Sequence, residues 1–322
     1  MLNSCRFLAT LLLTALTTVA LAQSSPYPNK TIRMLVGFPP GGISDVLARA
    51  VSAKLSQTLG QQVVVDNRPG AGTTIAAEIL AKAAPDGYTL DFVDATTQAI
   101  NASLYAKLPY DTLKDFTYIG LVASTPLMLV INPSLSARSV QELIALAKTS
   151  QLNYASSGNG TTMHLAGETF KSMAGLDVVH VPYKGGAPAV VAVLSGDVAY
   201  TFSTMSATLP HVKSGKLRAL GVTTSTRIGT APEIPTVGES GLPAFEIVLY
   251  SGVIGPAGMP KEIVDRLNTE LSRVVNLPDM KEMLTNSGAV PVTMSPEQFA
   301  THMRAEVVKL GKAVKESGAK AD

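Results

Sequence analysis

The feature that most narrows the fold is a unit that recurs along the chain: a short β-branched or apolar run, a glycine-rich loop, then a helical pattern. Its first copy is "MLVGFPPGGISD", Met34 to Asp45. Thr31 to Val36 alternates little between polar and apolar residues, as expected of a parallel strand covered on both faces. Leu47, Val51, Leu55 and Leu59 then recur at four-residue spacing with Gly60 as a stop, which predicts a helix from Ser44 to Leu59. The unit returns as strand Val63 to Val65, loop Asn67 to Gly72, helix Thr74 to Ala83, turn Pro85 to Gly87 and strand Thr89 to Val93. Such repetition predicts an α/β chain with a mostly parallel sheet and right-handed crossovers.

A second series begins after Phe116. Tyr118 to Val122 and Leu127 to Ile131 read as two pieces of one long strand interrupted near Ser124-Thr125-Pro126, and the first crossing between domains is expected there. Helices at 139–150, 164–174, 187–194 and 207–214 alternate with strands at 152–155, 178–181, 198–202 and 217–222. From Phe245 the chain runs extended to Gly255, a second crossing back, and ends with amphipathic helices Lys261 to Asn276 and Pro296 to Glu316. The expected division is residues 23–124 with 251–322 as one lobe and 125–250 as the other. Two α/β lobes joined by two crossing strands form a hinged clamp, with the ligand at the carboxyl ends of the strands.

Residues 1–22 must be excluded from this argument. Arg6, the apolar run from Phe7 to Leu21 and the small-residue end Ala20-Leu21-Ala22 predict a secretory signal cleaved before Gln23. A membrane anchor is the weaker reading, because the apolar span falls short of the ~20 residues that cross a bilayer. The lone cysteine, Cys5, precedes that run, so a lipid anchor at the cleavage point is disfavoured and no disulfide is expected in the mature chain. Removing 22 of the 322 residues leaves 300, and without Arg6 the 26 basic side chains become 25 against 24 acidic ones, a formal charge of +1. Nothing in that balance points to nucleic acid or an anionic membrane surface.

Four loops rich in Gly, Ser and Thr leave strand ends toward the expected crevice: Gly37 to Asp45, Asp94 to Gln98, Ser156 to Thr161 and Ser203 to Ser206. Each feeds a helix start, where free N–H groups favour an anion, although any one of them could simply be a tight turn. A nucleotide fits poorly, since no Gly-Lys-Ser/Thr follows Gly37 to Gly42 and no Gly-x-Gly-x-x-Gly follows a strand. The histidines His164, His180, His211 and His302 have no metal-ligand spacing, so no metal or other cofactor is expected. Ser157 with His164 can be imagined as nucleophile and base, but a binding role is favoured and no catalytic residue is assigned. Asp45 reads equally as a helix-start carboxylate or as an acceptor for a ligand donor, and Tyr183-Lys184 reads first as a solvated turn.

These residues also carry a resemblance. The blocks "FPPGGISD" (38–45), "VVVDNRPGAGTTIAAEILAKAAPDGYTL" (63–90), "LYAKLPYDTLKDFTYIGLVASTPLMLVINPS" (104–134), "ASSGNGTTMHLAGETF" (155–170), "HVPYKGGAPAV" (180–190) and "LPHVKSGKLRALGVT" (209–223) occur in order over nearly the whole mature chain. Together they resemble the Bug receptors, the substrate-binding receptors of tripartite tricarboxylate transporters.

The resemblance implies a type II periplasmic binding protein-like Venus flytrap that binds a dicarboxylate, tricarboxylate or aromatic carboxylate and delivers it to a membrane permease. Such a pocket holds one carboxylate through backbone and hydroxyl donors and ordered water. Carried over, Phe38, Pro40, Gly41, Gly42 and Ser44 form the first loop with Asp45 at its helix start. Thr96, Thr97 and Gln98 come from a strand end of the same lobe, and Ser157, Gly158, Asn159, Gly160, Thr161 and His164 face them, with Ser203 further along. Two departures bear on ligand choice: Phe202-Ser203 stands where the family often has Phe-Asp, and Tyr250 where it often has tryptophan. Alternatives from other classes are a sensor that presents its closed form to a membrane kinase and an exported serine hydrolase; a monomer is the default assembly.

Overall fold

The computed structural model describes residues 27–321, so the expected signal segment, Cys5 and the cleavage point before Gln23 lie outside the described residues. Strand β1 (Ile32–Val36) buries Ile32, Met34, Leu35 and Val36 completely, as a strand covered on both faces must. Helix α1 (Ile43–Leu59) returns its Leu47, Val51, Leu55 and Leu59 stripe to the sheet and stops at Gly60, whose φ of 70° closes the last turn. With β2 (Val63–Asn67), α2 (Thr74–Ala81) and β3 (Thr89–Asp94), they form a parallel trio in the order β2-β1-β3.

The centre of the sheet departs from the mostly parallel expectation. Strand β4 (Phe116–Ile131) pairs antiparallel with β9 (Val248–Pro256), and β9 in turn pairs antiparallel with β3. The far half of β4 pairs antiparallel with β7 (Tyr200–Thr204) and β8 (Arg218–Val222). Beyond β7, the strands β5 (Asn153–Ser156) and β6 (Val179–Pro182) are parallel again, giving the order β2-β1-β3-β9-β4-β7-β5-β6. The returning chain causes the reversal: β9 runs back between the two parallel sets, and no helical crossover is needed to reach it.

The expected break at Ser124-Thr125-Pro126 is absent, and β4 is one strand of 16 residues. Pro126 lies where the ladder to β9 ends, at Val248, and the ladder to β7 begins, at Leu127, so its missing N–H falls at the exchange of partners. Three further elements were not expected. Helix α3 (Ala95–Leu104) starts directly at the end of β3, where a loop was read. The others are a helix at Pro278–Asn286 and the short strand β10 (Val290–Pro291) on β4.

The remaining helices are α4 (Val140–Thr149), α5 (Thr162–Ala174), α6 (Gly186–Ser195), α7 (Met205–Lys213), α8 (Lys261–Val275), α9 (Pro278–Asn286) and α10 (Pro296–Ser317). Helix α10, started by a Ser295/Gln298 capping box, lies across α3, β4 and α5 and so straps the two halves of the sheet. Among the described residues, no helix is long and apolar enough to cross a membrane.

Candidate functional site

Five strands, β1, β3, β5, β6 and β7, each hand the chain to a helix, and the starts of those five helices surround one cavity of about 260 Å³. That volume is near the lower edge of the ~300–1,000 Å³ usual for small-molecule sites, so a compact ligand fits. Gly42, Ile43, Ser44 and Val46 come from α1, Asp94 from the cap of α3, and Thr162 and Met163 from α5. Gly185, Gly186, Ala187 and Pro188 come from α6, and Thr204, Ser206 and Ala207 from α7. Phe38 to Gly41, Ser157, Lys184, Ser203, Leu249 and Ser287 complete the wall.

The helix starts fall into two kinds. Asp94 caps α3 by accepting from Thr97 N (3.0 Å), and Thr161 caps α5 by accepting from His164 N (3.4 Å). At α1, α6 and α7 the cap positions are Gly42, Gly185 and Thr204, and no side chain caps them. First-turn N–H groups of these three helices therefore lack an intrahelical or side-chain acceptor where they border the cavity, and the three macrodipoles add positive potential there. Lys184, exposed at the mouth, is the one basic side chain among the lining residues.

The acidic side chain in the wall is held by local hydrogen bonds. Asp94 accepts from Thr97 Oγ1 (2.7 Å) and, across the cleft, from Thr162 Oγ1 (3.1 and 3.3 Å to its two oxygens), while Thr162 N donates to Thr97 Oγ1 (3.1 Å). Burial pushes the Asp94 carboxyl up to about 6 despite these donors. The contact ties the start of α5 to the start of α3, and the backbone packs closely beside it: a Cβ placed on Gly160, whose φ is +78°, would sit 2.6 Å from Asn101 Oδ1.

The expected site residues divide accordingly. Phe38, Pro40, Gly41, Gly42, Ser44, Ser157 and Ser203 border the cavity. Gly158, Asn159 and Thr161 border an adjoining groove of about 580 Å³ that shares Phe38, Pro39, Ser157, Lys184 and Gly185 with it. Asp45 borders neither; its Oδ2 accepts from Gly41 N (2.9 Å) and its Oδ1 from Asn67 (2.9 Å), with the Arg49 guanidinium 2.9 Å away. Burial alone would raise its carboxyl, but Arg49, Gly41 and Asn67 outweigh that and hold it below the usual value. Asp45 thus shapes the loop, and the Gly41 N–H that a ligand was expected to use is already engaged.

Thr96 joins α3 to β9 through Val248 O (2.9 Å) and Tyr250 N (2.9 Å), Thr97 serves the Asp94 cluster, and Gln98 is buried; none borders either cavity. Gly160 and His164 also lie behind the wall: His164 Nδ1 accepts from Gly160 N (3.2 Å) and its ring stacks on His180 at 4.2 Å. A serine–histidine hydrogen bond does exist, but it joins Ser156 to His180 Nε2 (2.7 Å), and burial, then His164, push His180 down to about 3, too weak a base for neutral pH.

Asp94, Thr204 and Ser206 were inside loops read as cleft-facing, and their signal was the helix-start position itself. Lys184 was read first as part of a solvated turn, Gly185, Gly186 and Met163 were given no role in the site, and Ser287 carries no local signal because the fold alone brings it there.

Comparison with known proteins extends these observations. The family model described as tripartite tricarboxylate transporter family receptor matches residues 47–319. Protein BugT of Bordetella pertussis is 37% identical over 301 residues, 92% of each chain. The solved structure of R. palustris Rpa4515 with adipate is 35% identical, superposes with a TM-score of 0.87 and covers 91% of this chain and 99% of that one. MatC (Rpa3494) from Rhodopseudomonas palustris with bound malate is 31% identical, with a TM-score of 0.85 and coverage of 89% and 100%. The architecture is the α/β Venus flytrap of periplasmic binding proteins, and the chain belongs to the tripartite tricarboxylate transporter receptor family.

Proposed function

We propose that this chain is a periplasmic receptor that captures a small carboxylate in the cavity and delivers it to the membrane permease of a tripartite tricarboxylate transporter. The observation that carries the reading is the convergence of three helix starts without side-chain caps on one small cavity. Adipate and malate, the ligands in two related structures, are both small carboxylates. Residues 23–124 with 251–322 act as one lobe and 125–250 as the other, β4 and β9 being the strands that pass between them. Ligand held by α1 on one side is met by α5, α6 and α7 on the other, so affinity includes the work of closure.

The test is a thermal-shift screen of refolded, ligand-stripped mature protein against small carboxylic acids, each beside its uncharged amide. A ligand at a hundred times its Kd adds about 2.7 kcal/mol. Stabilisation by an acid whose amide is inert is the expected result; stabilisation by amides and not by acids overturns the anion reading.

A further inference from the structure

We propose that His164 and His180 are positioning residues for the binding loop: from behind the cavity wall they hold the two ends of residues 156–160, the segment that meets the ligand. The inference rests on the reading of this cavity as the ligand site and adds to it residues that touch no ligand.

Between β5 and α5 the chain passes through two glycines, Gly158 at φ +122° and Gly160 at φ +78°, residues with the most backbone freedom to lose on ordering. Ser157 borders the cavity, and Gly158 and Asn159 border the adjoining groove. At the far end of this loop His164, buried in the first turn of α5, accepts from Gly160 N through Nδ1 (3.2 Å). Thr161 Oγ1 accepts in return from His164 N (3.4 Å), a capping-box arrangement shifted by one residue with histidine in the place of Glu or Gln. At the near end, Ser156 Oγ lies 2.7 Å from His180 Nε2 and accepts from Gly158 N (3.1 Å). Whichever partner of the 2.7 Å bond carries the proton, the hydroxyl is fixed, and the Gly158 amide with it.

The two histidines act as one unit. Their rings stack at 4.2 Å, His180 stacks in turn on Tyr154 (4.8 Å), and Tyr154 on Tyr200 (5.6 Å), each pair 22° from parallel. Tyr154 is itself fixed: its hydroxyl donates to Glu168 Oε1 (2.7 Å), and a Cβ placed on Gly167 would sit 2.1 Å from its ring. The column joins β6, β5 and β7 to the first turn of α5, so the loop is held from rigid elements rather than by its own contacts alone. With Gly158 N and Gly160 N turned back onto side chains, Ser157 is the loop residue left at the cavity wall. A loop ordered before the ligand arrives loses less entropy on binding, which is how groups behind the wall strengthen affinity.

Hydrogen exchange of the empty mature protein, read by NMR at the Gly158 and Gly160 amides, tests this without a ligand. Both amides are expected to be protected in the parent, with imidazole nitrogen shifts that put the His164 proton on Nε2. His164→Phe keeps a ring for the stack and removes the acceptor, whereas His164→Asn loses the ring and keeps an acceptor near the Nδ1 position. Gly160 exchange should rise about fivefold in His164→Phe, the effect of one hydrogen bond, and stay within about twofold of the parent in His164→Asn. Isothermal titration with adipate and malate, the acids bound by two related proteins, should follow the same order, about fivefold weaker in His164→Phe and restored in His164→Asn. Parent-like exchange in His164→Phe with loosening in His164→Asn makes the ring packing only and overturns the proposal, as does a looser loop with unchanged affinity. An unprotected Gly160 amide, or a His164 proton on Nδ1, overturns it in the parent alone, which decides the matter where a variant does not fold. Failure of both acids to bind the parent counts against the carboxylate reading, and exchange alone then judges the histidines.

Discussion

The contact across the cleft can be cut with one atom. Thr162→Val keeps the branched shape at the first position of α5 but removes the hydroxyl that donates to Asp94 at 3.1 and 3.3 Å. The backbone bond from residue 162 to Thr97 Oγ1 survives, and Asp94 keeps its two Thr97 donors, so the substitution leaves no buried charge bare. A hydrogen bond to a charged group contributes about 1.5–3 kcal/mol. Shared between two oxygens and longer than the ~2.5–2.7 Å of strong charge-assisted O–H bonds, this one belongs at the low end, ~1.5 kcal/mol. If the contact exists only with the lobes together, the loss falls on the closed state alone and Kd rises about tenfold. Isothermal titration at pH 8, above the value of about 6 to which burial pushes Asp94, reads it with the carboxylate ionised. A Kd within about twofold of the parent, in a variant with native circular dichroism, would refute the reasoning that this contact belongs to closure.

Two other outcomes follow from single groups. Burial alone pushes Asp91 from an ordinary 3.8 up to about 7, so the folded state holds that proton more tightly than the unfolded chain. Its contribution is complete below pH 3.8 and is lost as pH rises toward 7, up to ~4 kcal/mol at 1.36 kcal/mol per unit; Asp91→Asn should therefore match the parent in urea unfolding at pH 4 and exceed it at pH 8, and parallel pH profiles would disprove the assignment. Gly42→Pro removes one N–H at the start of α1, where φ is already −77° and suits proline, so ligand affinity should fall about tenfold with unfolding temperature nearly unchanged, as ligand titration and calorimetry would show.

The sequence by itself determined the elements whose reasons are local. The Leu47 to Leu59 stripe, the Gly60 stop and the glycine loops after strands specify α1 and the cleft-facing positions of Phe38 to Ser44, and the repeated unit specifies an α/β chain. Family membership was legible too, because ordered blocks of residues carry it from Phe38 to Thr223. Helix α3 escaped because Ala95-Thr-Thr-Gln98 is compatible with loop or helix until Asp94 is seen capping it.

Only the tertiary structure decided which loop residues touch the cavity. Asp45 read equally as a helix-start carboxylate or a ligand acceptor; the Gly41 amide and Arg49, each four residues away, engage it locally, and Asn67, 22 residues on, joins them only in the fold. Ser287 and Leu249 reached the wall through the return of the chain along β9 and past α9, over sequence separations that no local pattern encodes. The sheet was misread as mostly parallel for the same reason: strand direction at β3, β9, β4 and β7 is set by which partners meet, and pairing is a non-local choice. Periodicity reports which face of an element is buried; it is silent on what that face is buried against.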